Sequence, residues 1–378
     1  MIKIIVLFFA AITSGISVND IYARASVVID GENGRVLYGK NYDEVLANAS
    51  TTKILTCIVA LENSKMDDVL TVSDYASSMP DVKLGVKKGQ RYYMRDMLYA
   101  MMLESDNDVS VVVAEGVAGD TESFAKLLNE KARDIGCKNT YFITPNGLDR
   151  MDENGMHSTT AYDLALIMKY CIDNKQFLEI TRTKSHSFSD VDNTKSYVVN
   201  NKNSFLFSYN GMISGKTGFT SKAGYCYVGA ANIDNKKFVF SILASGWPPN
   251  KNYKWSDAKK MLDYCDKTYE RYSLENYDMD EDVLQDIDVE NGVKKHIDLC
   301  YGKKLEGYII KKKNEKITVK YDIEKRIKAP IKKGECVGFA IYRIGDTIID
   351  SVPLLTDEKI EVIDYRKCLQ KVLAILPF

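Results

Sequence analysis

The fold of this chain is most restricted by a long helical stretch that lies between two pairs of strands. Residues 26–39 contain two short apolar runs around a Gly- and Asn-rich turn, which is the pattern of a β-hairpin. From Ser50 to Cys171 the apolar residues recur at three- and four-residue spacing, as in amphipathic helices. Strand patterns return at Gly224–Ala231 and Lys237–Leu243, around the turn Asp234-Asn235. Helices inserted between the strands of an antiparallel sheet predict an α+β fold.

A change in sequence character near residue 275 predicts a second domain. Residues 255–272 have the pattern of a last amphipathic helix, and residues 276–281 are polar and acidic. Between residues 289 and 362, short β-rich runs alternate with Lys-rich turns. A chain of 378 residues is long enough for two domains. We therefore expect an α+β domain over residues 26–274 and a small β-rich domain over residues 275–362.

The N-terminus has the composition of a signal peptide. Lys3 precedes an almost unbroken apolar run, Ile4–Ile12, which is too short to span a bilayer. Ala23-Arg24-Ala25 matches the small-x-small pattern at which signal peptides are cleaved. We therefore expect a signal peptide over residues 1–25, cleavage after Ala25 and export of the mature protein.

Composition excludes several other classes of protein. The 51 basic and 52 acidic residues give a net charge of −1, whereas phosphate binding requires a basic surplus, so no nucleic-acid partner is expected. The eight cysteines are scattered, without a C-x-x-C pair or histidines at zinc-site spacing. Several lie in apolar runs, where a free thiol behaves as a small hydrophobic group. We expect mostly free thiols, no metal and no organic cofactor.

The first of three short motifs with chemical potential is Ser50-Thr51-Thr52-Lys53. It follows Asn48, a residue type that caps helices, and it precedes an apolar stripe. One helical turn separates Ser50 from Lys53, and a lysine with a lowered pKa can activate a serine hydroxyl as a nucleophile. The pattern S-x-x-K is weak by itself, because residues 123–126 and 256–259 repeat it. We interpret those two copies as ordinary helix surface.

The other two motifs supply polar groups at a loop and at a strand. Ser105-Asp106-Asn107 lies between two helical runs, where a hydroxyl can relay a proton and an amide can hold a substrate backbone. The alternative interpretation is a plain helix cap.

Lys216-Thr217-Gly218, followed by Phe219-Thr220, precedes the second strand pair. A cation and hydroxyls at a strand edge suit a substrate carboxylate, and glycine permits a substrate backbone to approach closely; the alternative is a basic turn.

In this order the motifs resemble the S-x-x-K, S-D-N and K-T-G set of the penicillin-interacting serine enzymes. The chain is similar to the low-molecular-mass penicillin-binding proteins that are serine-type D-alanyl-D-alanine carboxypeptidases, of the type found in Gram-positive spore-forming bacteria. The similarity extends over the opening hairpin, segments 140–149, 157–163 and 216–224, and residues 329–335. It implies a penicillin-binding-protein/β-lactamase-like transpeptidase domain, an antiparallel sheet with helices, followed by a small all-β domain.

The resemblance also implies a reaction and a role for each motif residue. The enzyme would remove the terminal D-Ala of peptidoglycan stem pentapeptides through an acyl-enzyme on Ser50, and it would bind β-lactam antibiotics covalently. Its place would be the cell wall or the outer face of the cytoplasmic membrane, in cell-wall biogenesis, cell shape or sporulation. The resemblance assigns catalysis to Ser50, Lys53, Ser105, Asn107 and Lys216, and substrate binding to Lys216, Thr217, Gly218, Phe219 and Thr220.

Within this assignment, Lys53 is the base, Ser105 passes a proton to the leaving amine, and Lys216 keeps the surroundings of Ser105 cationic. Asn107 holds the substrate amide, and Thr217 and Thr220 bind the terminal carboxylate. The backbone N–H groups of Ser50 and Phe219 form an oxyanion hole.

Two other functions use the same fold. A class A β-lactamase would need a deacylating glutamate downstream of the second motif, but residues 138–148 contain none, and it would lack a second domain. A non-catalytic wall-binding scaffold would have lost a motif side chain, and all of them are intact. A Ser-His-Asp triad is disfavoured because His157, His186 and His296 lie far apart and outside any nucleophile motif. We expect His157 to cap or pack a helix start.

The last residues have the pattern of an amphipathic helix. Apolar residues recur from Tyr365 to Leu376 on one face, opposite Arg366, Lys367 and Lys371, over a length too short to span a bilayer. Similar enzymes are tethered by such a C-terminal segment. We therefore expect an amphipathic tail over residues 363–378, with peripheral membrane association through residues 365–378. The alternative is a helix packed on the second domain.

Overall fold

The computed structural model describes residues 20–324, 326–366, 369 and 373, and it divides the chain into two compact units between Thr268 and Tyr269. The predicted signal-peptide core and most of the predicted tail lie outside the described residues. The predicted α+β domain with a following β domain is confirmed.

The first unit contains helices and a central sheet, with short hairpins in the connections. Its helices are α1 (Lys53–Asn63), α2 (Asp74–Ser77), α3 (Met94–Leu103), α4 (Asn107–Ala118), α5 (Thr121–Ile135), α6 (Ala161–Cys171), α7 (Lys175–Arg182), α8 (Ser204–Ser208) and α9 (Tyr253–Thr268). Its strands are β1 (Ala25–Asp30), β2 (Val36–Lys40), β3 (Val69–Thr71), β4 (Arg91–Tyr93), β5 (Met151–Asp152), β6 (Gly155–Met156), β7 (Ser185–Ser189), β8 (Ser196–Asn200), β9 (Met212–Thr220), β10 (Gly224–Ile233) and β11 (Lys236–Leu243).

The central sheet is antiparallel and has the order β2-β1-β11-β10-β9. The two predicted hairpins are both present, and Asp234 and Asn235 adopt φ values of 49° and 60°, which tight hairpin turns require. Apolar patterning did not identify the edge strand β9, because its sequence contains two glycines and few β-branched residues, although the third motif was interpreted as lying at a strand edge. This strand contains the Lys216-Thr217-Gly218 motif, so the motif is part of a sheet edge rather than a turn.

Both faces of the sheet are covered by helices. Helix α6 packs against β1, β10 and β11, and α9 packs against the same strands and β2. Side chains alternate along a strand, so Val27 and Ile29 join the core that contains α1, α4 and α6, whereas Val28 points away from that core. Complete burial on both sides explains the nearly continuous apolar sequence of β11.

The residues that precede β1 are built into the first unit. The backbone N–H groups of Tyr22 and Ala23 donate to the Asp257 carboxylate at 3.0 and 2.9 Å, and Ala23 and Ala25 are fully buried. Ala25 pairs with Leu243 across the sheet. Cleavage after Ala25 would remove these contacts and leave the buried carboxylate of Asp257 short of two donors.

The helix that the sequence predicted over residues 255–272 ends at Thr268 instead. Residues Glu270–Ser273 form strand β12, which pairs with Tyr308–Lys311 of the second unit. The helical periodicity continues past the last turn, but the cross-strand partner decides the backbone conformation there.

The second unit consists of short strands around its own apolar core. The strands are β12 (Glu270–Ser273), β13 (Ile287–Glu290), β14 (His296–Ile297), β15 (Leu299–Tyr301), β16 (Tyr308–Lys311), β17 (Thr318–Ile323), β18 (Ile327–Lys328), β19 (Cys336–Ile344) and β20 (Thr347–Thr356). The largest sheet has the order β15-β20-β19-β17. Its core includes Ala340, Tyr342, Val352 and Leu354, which are completely buried.

Within the described ranges, no helix combines the length and the hydropathy that a membrane crossing requires. Seven of the cysteines have described positions, and Cys57, Cys137, Cys171, Cys226, Cys300 and Cys336 are free thiols. Cys57, Cys171 and Cys226 are completely buried in the core of the first unit.

Candidate active site

The three motifs meet at one place in the first unit. Strand β9 lies beside the 3-10 turn Ala49–Thr52 that precedes α1, and α4 packs against α1. The Lys53 amine donates to Ser50 Oγ at 2.9 Å and to Asn107 Oδ1 at 3.0 Å. The Lys216 amine donates to Ser105 Oγ at 2.9 Å. Two lysines therefore connect the first and third motifs to the second.

Ser50 lies on a tight turn and not inside a regular helix. Helix α1 begins at Lys53, and the turn that carries Ser50 precedes it. Asn48 does not cap the helix as predicted, because its amide donates to the hydroxyls of Thr51 and Thr52 at 3.1 and 2.9 Å instead of accepting a backbone N–H. The hydroxyls donate in turn to backbone carbonyls, so the turn is held from within.

The Lys53 side chain is completely buried among oxygen atoms. Besides Ser50 and Asn107, its amine donates to the backbone carbonyl of Asn146 at 2.8 Å. Burial lowers the pKa of Lys53 well below its usual range, and the nearby Lys216 lowers it further. A neutral amine 2.9 Å from a serine hydroxyl is the arrangement that general-base activation requires.

Ser105 and Lys216 form the second polar pair. Ser105 has a φ of 73°, a left-handed conformation that is costly for a residue with a side chain and that recurs at functional sites. Lys216 is 3% exposed, and its amine also donates to the carbonyl of Thr217 at 3.0 Å. Burial lowers the pKa of Lys216, whereas the carboxylate of Asp106 raises it.

Two glycines allow the neighbouring segments to approach the Ser50 turn. A Cβ at Gly218 would lie 2.8 Å from the Ser50 nitrogen, and a Cβ at Gly147 would lie 2.0 Å from the carbonyl oxygen of Ala49. The close approach at Gly218 is therefore to the serine turn, whereas the sequence had suggested a substrate backbone. Gly147 also has a φ of +84°, which only glycine adopts without strain.

The remaining predicted binding residues lie along the open end of β9. Phe219 is 42% exposed, and its ring lies 4.7 Å from that of Tyr225. Thr220 Oγ1 donates to Asp149 Oδ1 at 3.0 Å and accepts the N–H of Ala223. Thr217 is partly buried between Lys216 and Gly218. This edge offers hydroxyl groups next to a buried cation, which suits a carboxylate ligand.

The other two S-x-x-K copies lie on the helix surface. Among the described residues, no lysine amine donates a hydrogen bond to Ser123. The Ser123 N–H and hydroxyl donate to Asp120 at 2.7 and 3.0 Å, and Lys126 is exposed. Lys259 is exposed and forms an ion pair with Asp263 at 2.8 Å. The predicted interpretation of both copies agrees with these positions.

The histidines have structural surroundings. His157 Nδ1 accepts the backbone N–H of Ile143 at 3.0 Å, its Nε2 lies 2.9 Å from Thr52 Oγ1, and its ring stacks on Phe142. Burial lowers the pKa of His157 to about 3, so the ring is neutral. His157 thus packs beneath the serine turn, as expected. Among the described residues, no cluster of His, Cys, Asp or Glu could hold a metal ion.

Three site residues were not identified from the sequence. Asn146 contributes a backbone carbonyl, which leaves no side-chain signal. Asp149 contacts Thr220, but its segment had been noted only as part of the family resemblance. Asp106 lies between Ser105 and Asn107 and is 2% exposed. Its position inside the second motif was the one signal that could have identified it.

Comparisons with known proteins identify the family of the chain. Residues 12–245 match the family model described as D-alanyl-D-alanine carboxypeptidase, and residues 275–362 match the C-terminal domain of penicillin-binding protein 5. The chain is 31% identical over 347 residues to the D-alanyl-D-alanine carboxypeptidase DacF of Bacillus subtilis, covering 89% of this chain and 85% of the relative. It is 28% identical to DacC of Escherichia coli, covering 90% and 84% of the two chains.

Solved structures show the same architecture. The crystal structure of penicillin-binding protein 5 from Haemophilus influenzae superposes with a TM-score of 0.71 at 25% identity, covering 90% of this chain and 98% of that chain. The predicted family and fold are both confirmed. The chain therefore belongs to the D-alanyl-D-alanine carboxypeptidase family of penicillin-binding proteins and is a serine-type D-alanyl-D-alanine carboxypeptidase that acts on the cell wall.

Proposed function

We propose that this enzyme removes the terminal D-Ala of peptidoglycan stem pentapeptides through an acyl-enzyme on Ser50. The observation that carries the proposal is the fully buried Lys53 amine, 2.9 Å from Ser50 Oγ. Lys53 takes the hydroxyl proton as Ser50 attacks the carbonyl carbon between the two D-Ala residues. The negative charge that develops on the carbonyl oxygen is held by the backbone N–H groups of Ser50 and Phe219.

Breakdown of the tetrahedral intermediate needs a proton on the leaving amine. Ser105 Oγ relays to it the proton that Lys53 took from Ser50, which returns Lys53 to its neutral form, and the Lys216 amine, 2.9 Å away, holds the Ser105 oxygen in place and keeps its surroundings cationic. The C–N bond breaks, D-Ala leaves, and Ser50 carries the peptide as an ester. Thr217 and Thr220 bind the terminal carboxylate before it leaves.

Water then cleaves the ester and returns the proton to Ser50, with Lys53 again as the base. Asn107 holds the substrate amide through this cycle, because Lys53 fixes the orientation of its Oδ1 at 3.0 Å. A β-lactam follows the same first step and leaves a ring-opened ester on Ser50. Slow hydrolysis of that ester distinguishes this proposal from a β-lactamase, which would release the product rapidly.

The proposal is tested by incubating the enzyme with a pentapeptide that ends in D-Ala-D-Ala and following the products by mass spectrometry. We expect loss of one alanine and, with penicillin, a stable adduct on the peptide that contains Ser50. An adduct on another serine would overturn the assignment of the nucleophile. Intact pentapeptide together with rapid penicillin turnover would favour the β-lactamase alternative.

We also propose that the enzyme is exported and serves peptidoglycan maturation, including sporulation. The apolar run Ile4–Ile12 supports a signal peptide. Because Asp257 binds the N–H groups of Tyr22 and Ala23, we place the cleavage before Asp20 rather than after Ala25. N-terminal sequencing of the exported protein tests this position. A mature chain that begins at Ser26 would overturn it.

We further propose that residues 365–378 bind the membrane surface peripherally. Tyr365, Leu369 and Leu373 are four residues apart and are each 47–80% exposed, which supports an apolar face that is free to enter a lipid interface. Truncation after Asp364 should release the protein from anionic liposomes at low salt while carboxypeptidase activity is retained. If the full-length mature protein fails to float with those liposomes, the proposal is wrong.

A further inference from the structure

One buried carboxyl group beside the active site has no role in the mechanism above. Asp106 is 2% exposed, and its Oδ2 is inaccessible and has no hydrogen-bond partner among the described residues. It occupies the N-cap position of α4, yet its side chain accepts no N–H from the first turn. Burial of a carboxyl group costs desolvation free energy, and Asp106 does not offset this cost with the hydrogen bond that an N-cap side chain usually accepts.

The position of Asp106 relates it to both catalytic amines. Its preceding residue, Ser105, accepts from Lys216 at 2.9 Å, and its following residue, Asn107, accepts from Lys53 at 3.0 Å. The Asp106 carboxylate is the charged group that opposes the lowering of the pKa of Lys216 by burial. It is also the larger of the two acidic influences that raise the pKa of Lys53, the other being Asp108.

Four charged groups act on Asp106, and they lie on or next to four different elements. Asp108, on α4, is engaged by the backbone N–H groups of residues 84–86, and Glu104, at the end of α3, forms an ion pair with Lys202 at 2.8 Å. Lys53 of α1 and Lys216 of β9 provide the positive charge. Burial, Asp108 and Glu104 raise the pKa of Asp106 to about 7, so the group is ionised in the alkaline range.

We propose that the Asp106 carboxylate is the shared counter-charge of Lys53 and Lys216, a positioning residue that sets the pH range in which one amine is neutral and the other is protonated. The inference rests on the proposed function, in which Lys53 acts as a base and Lys216 as a cation. Lys53 is neutral while Lys216 is protonated only at pH values above the ionisation of Lys53 and below the ionisation of Lys216. A carboxylate that acts on both amines raises both of their pKa values. It therefore moves the pH range of activity to higher pH without narrowing it.

The test is the pH profile of acylation by a fluorescent penicillin in the full-length mature enzyme. Asp106→Asn keeps the shape of the side chain and removes its charge. We expect both limbs of the bell-shaped profile to shift to lower pH by about one unit. The full shift is expected for a limb that lies above the pH at which Asp106 ionises, because only the ionised carboxylate acts on the amines. Glu104→Gln removes a charge two residues away that acts on Asp106 but is not among the charges that act on either lysine, so limbs above the pH at which Asp106 ionises should not move.

A lower rate at every pH without a shift of either limb would show that Asp106 is only structural and would overturn the proposal. An equal shift in Glu104→Gln would overturn it as well, because the shift would then reflect the loss of any nearby negative charge and not the loss of Asp106 in particular. If Asp106→Asn does not fold, as judged by thermal unfolding, Asp106→Ala gives the same test. Ser50→Ala separates the two proposals: labelling that survives in it refutes the proposed nucleophile, whereas unshifted limbs refute only Asp106.

Discussion

The starts of α1 and α5 carry the same S-x-x-K spacing and have opposite environments. At α1, Lys53 is completely buried and its amine contacts Ser50. At α5, Lys126 is exposed, and the Ser123 hydroxyl donates to the N-cap residue Asp120 at 3.0 Å. Ser123 thus stabilises the start of α5, whereas the hydroxyl of Ser50 lies within hydrogen-bond distance of the Lys53 amine.

The comparison shows that a base is made by the environment of the lysine and not by its spacing from a serine. Water keeps an exposed amine protonated at neutral pH, and a protonated amine cannot accept a proton. Burial and a second cation make the neutral form of Lys53 accessible. Each prediction below alters one region and uses the other as its control.

The largest effect is expected from Ser50→Ala. It should reduce covalent penicillin labelling and carboxypeptidase activity by about 10⁴-fold or more, because the nucleophile is removed. The free energy of unfolding should change by about 1 kcal/mol, as at other helix starts. Ser123→Ala is the matched control and should label at the normal rate. Gel fluorescence of labelled protein measures both, and loss of labelling in the control alone would show that the nucleophile is Ser123.

Lys53→Ala should slow acylation by about 10²–10⁴-fold through loss of the general base. The rate of the unaltered enzyme should rise with pH through the ionisation of Lys53, at a pH well below that of an ordinary lysine, because only the neutral amine accepts a proton. The variant should lose this rise. Lys126→Ala, at the exposed position, should leave both the rate and its pH dependence unchanged. Stopped-flow acylation checks this, and a retained rise in Lys53→Ala would assign the base elsewhere.

Gly218→Ala should reduce the acylation rate by about 10- to 10²-fold, because the new Cβ would lie 2.8 Å from the Ser50 nitrogen and displace the serine turn. Gly136, which ends α5 with a φ of +97° and open space around it, provides the control. Gly136→Ala should cost about 1 kcal/mol of stability and leave acylation unaffected. Acylation kinetics and thermal unfolding are measured together. Equal acylation rates in the two variants would contradict the proposed steric contact.

The smallest effect is expected from Asp120→Ala. The change removes the acceptor of the Ser123 N–H at 2.7 Å and should lower the free energy of unfolding by about 1 kcal/mol. Penicillin labelling should be unchanged, because this end of α5 takes no part in the site. Urea denaturation gives the first quantity and gel fluorescence gives the second. A clear loss of labelling in a variant that remains folded would show that the two regions are coupled.

Much of the fold could be predicted from periodicity and turn chemistry. The hairpin around Asp234-Asn235 was identified because two left-handed residues favour a tight turn, and the β domain because short alternating runs recur between turns. These patterns did not identify strand β9 or the end of α9, for two different reasons. Strand β9 contains two glycines and few β-branched residues, although its partner β10 follows directly, whereas the conformation of the residues after α9 depends on strand β16, which lies elsewhere in the chain.

The sequence by itself determined which groups are available and how they are spaced along the chain: a serine one turn before a lysine, a second serine with an asparagine, and a lysine on a short glycine-containing segment. The tertiary structure decided which of three S-x-x-K copies becomes buried, and it brought Lys53 to Asn107 and Lys216 to Ser105 across 54 and 111 residues of chain. It also buried Asp106 between Ser105 and Asn107, the two residues that accept from the amines. Burial and charge proximity act through space, so the pKa values on which the chemistry depends exist only once the chain is folded.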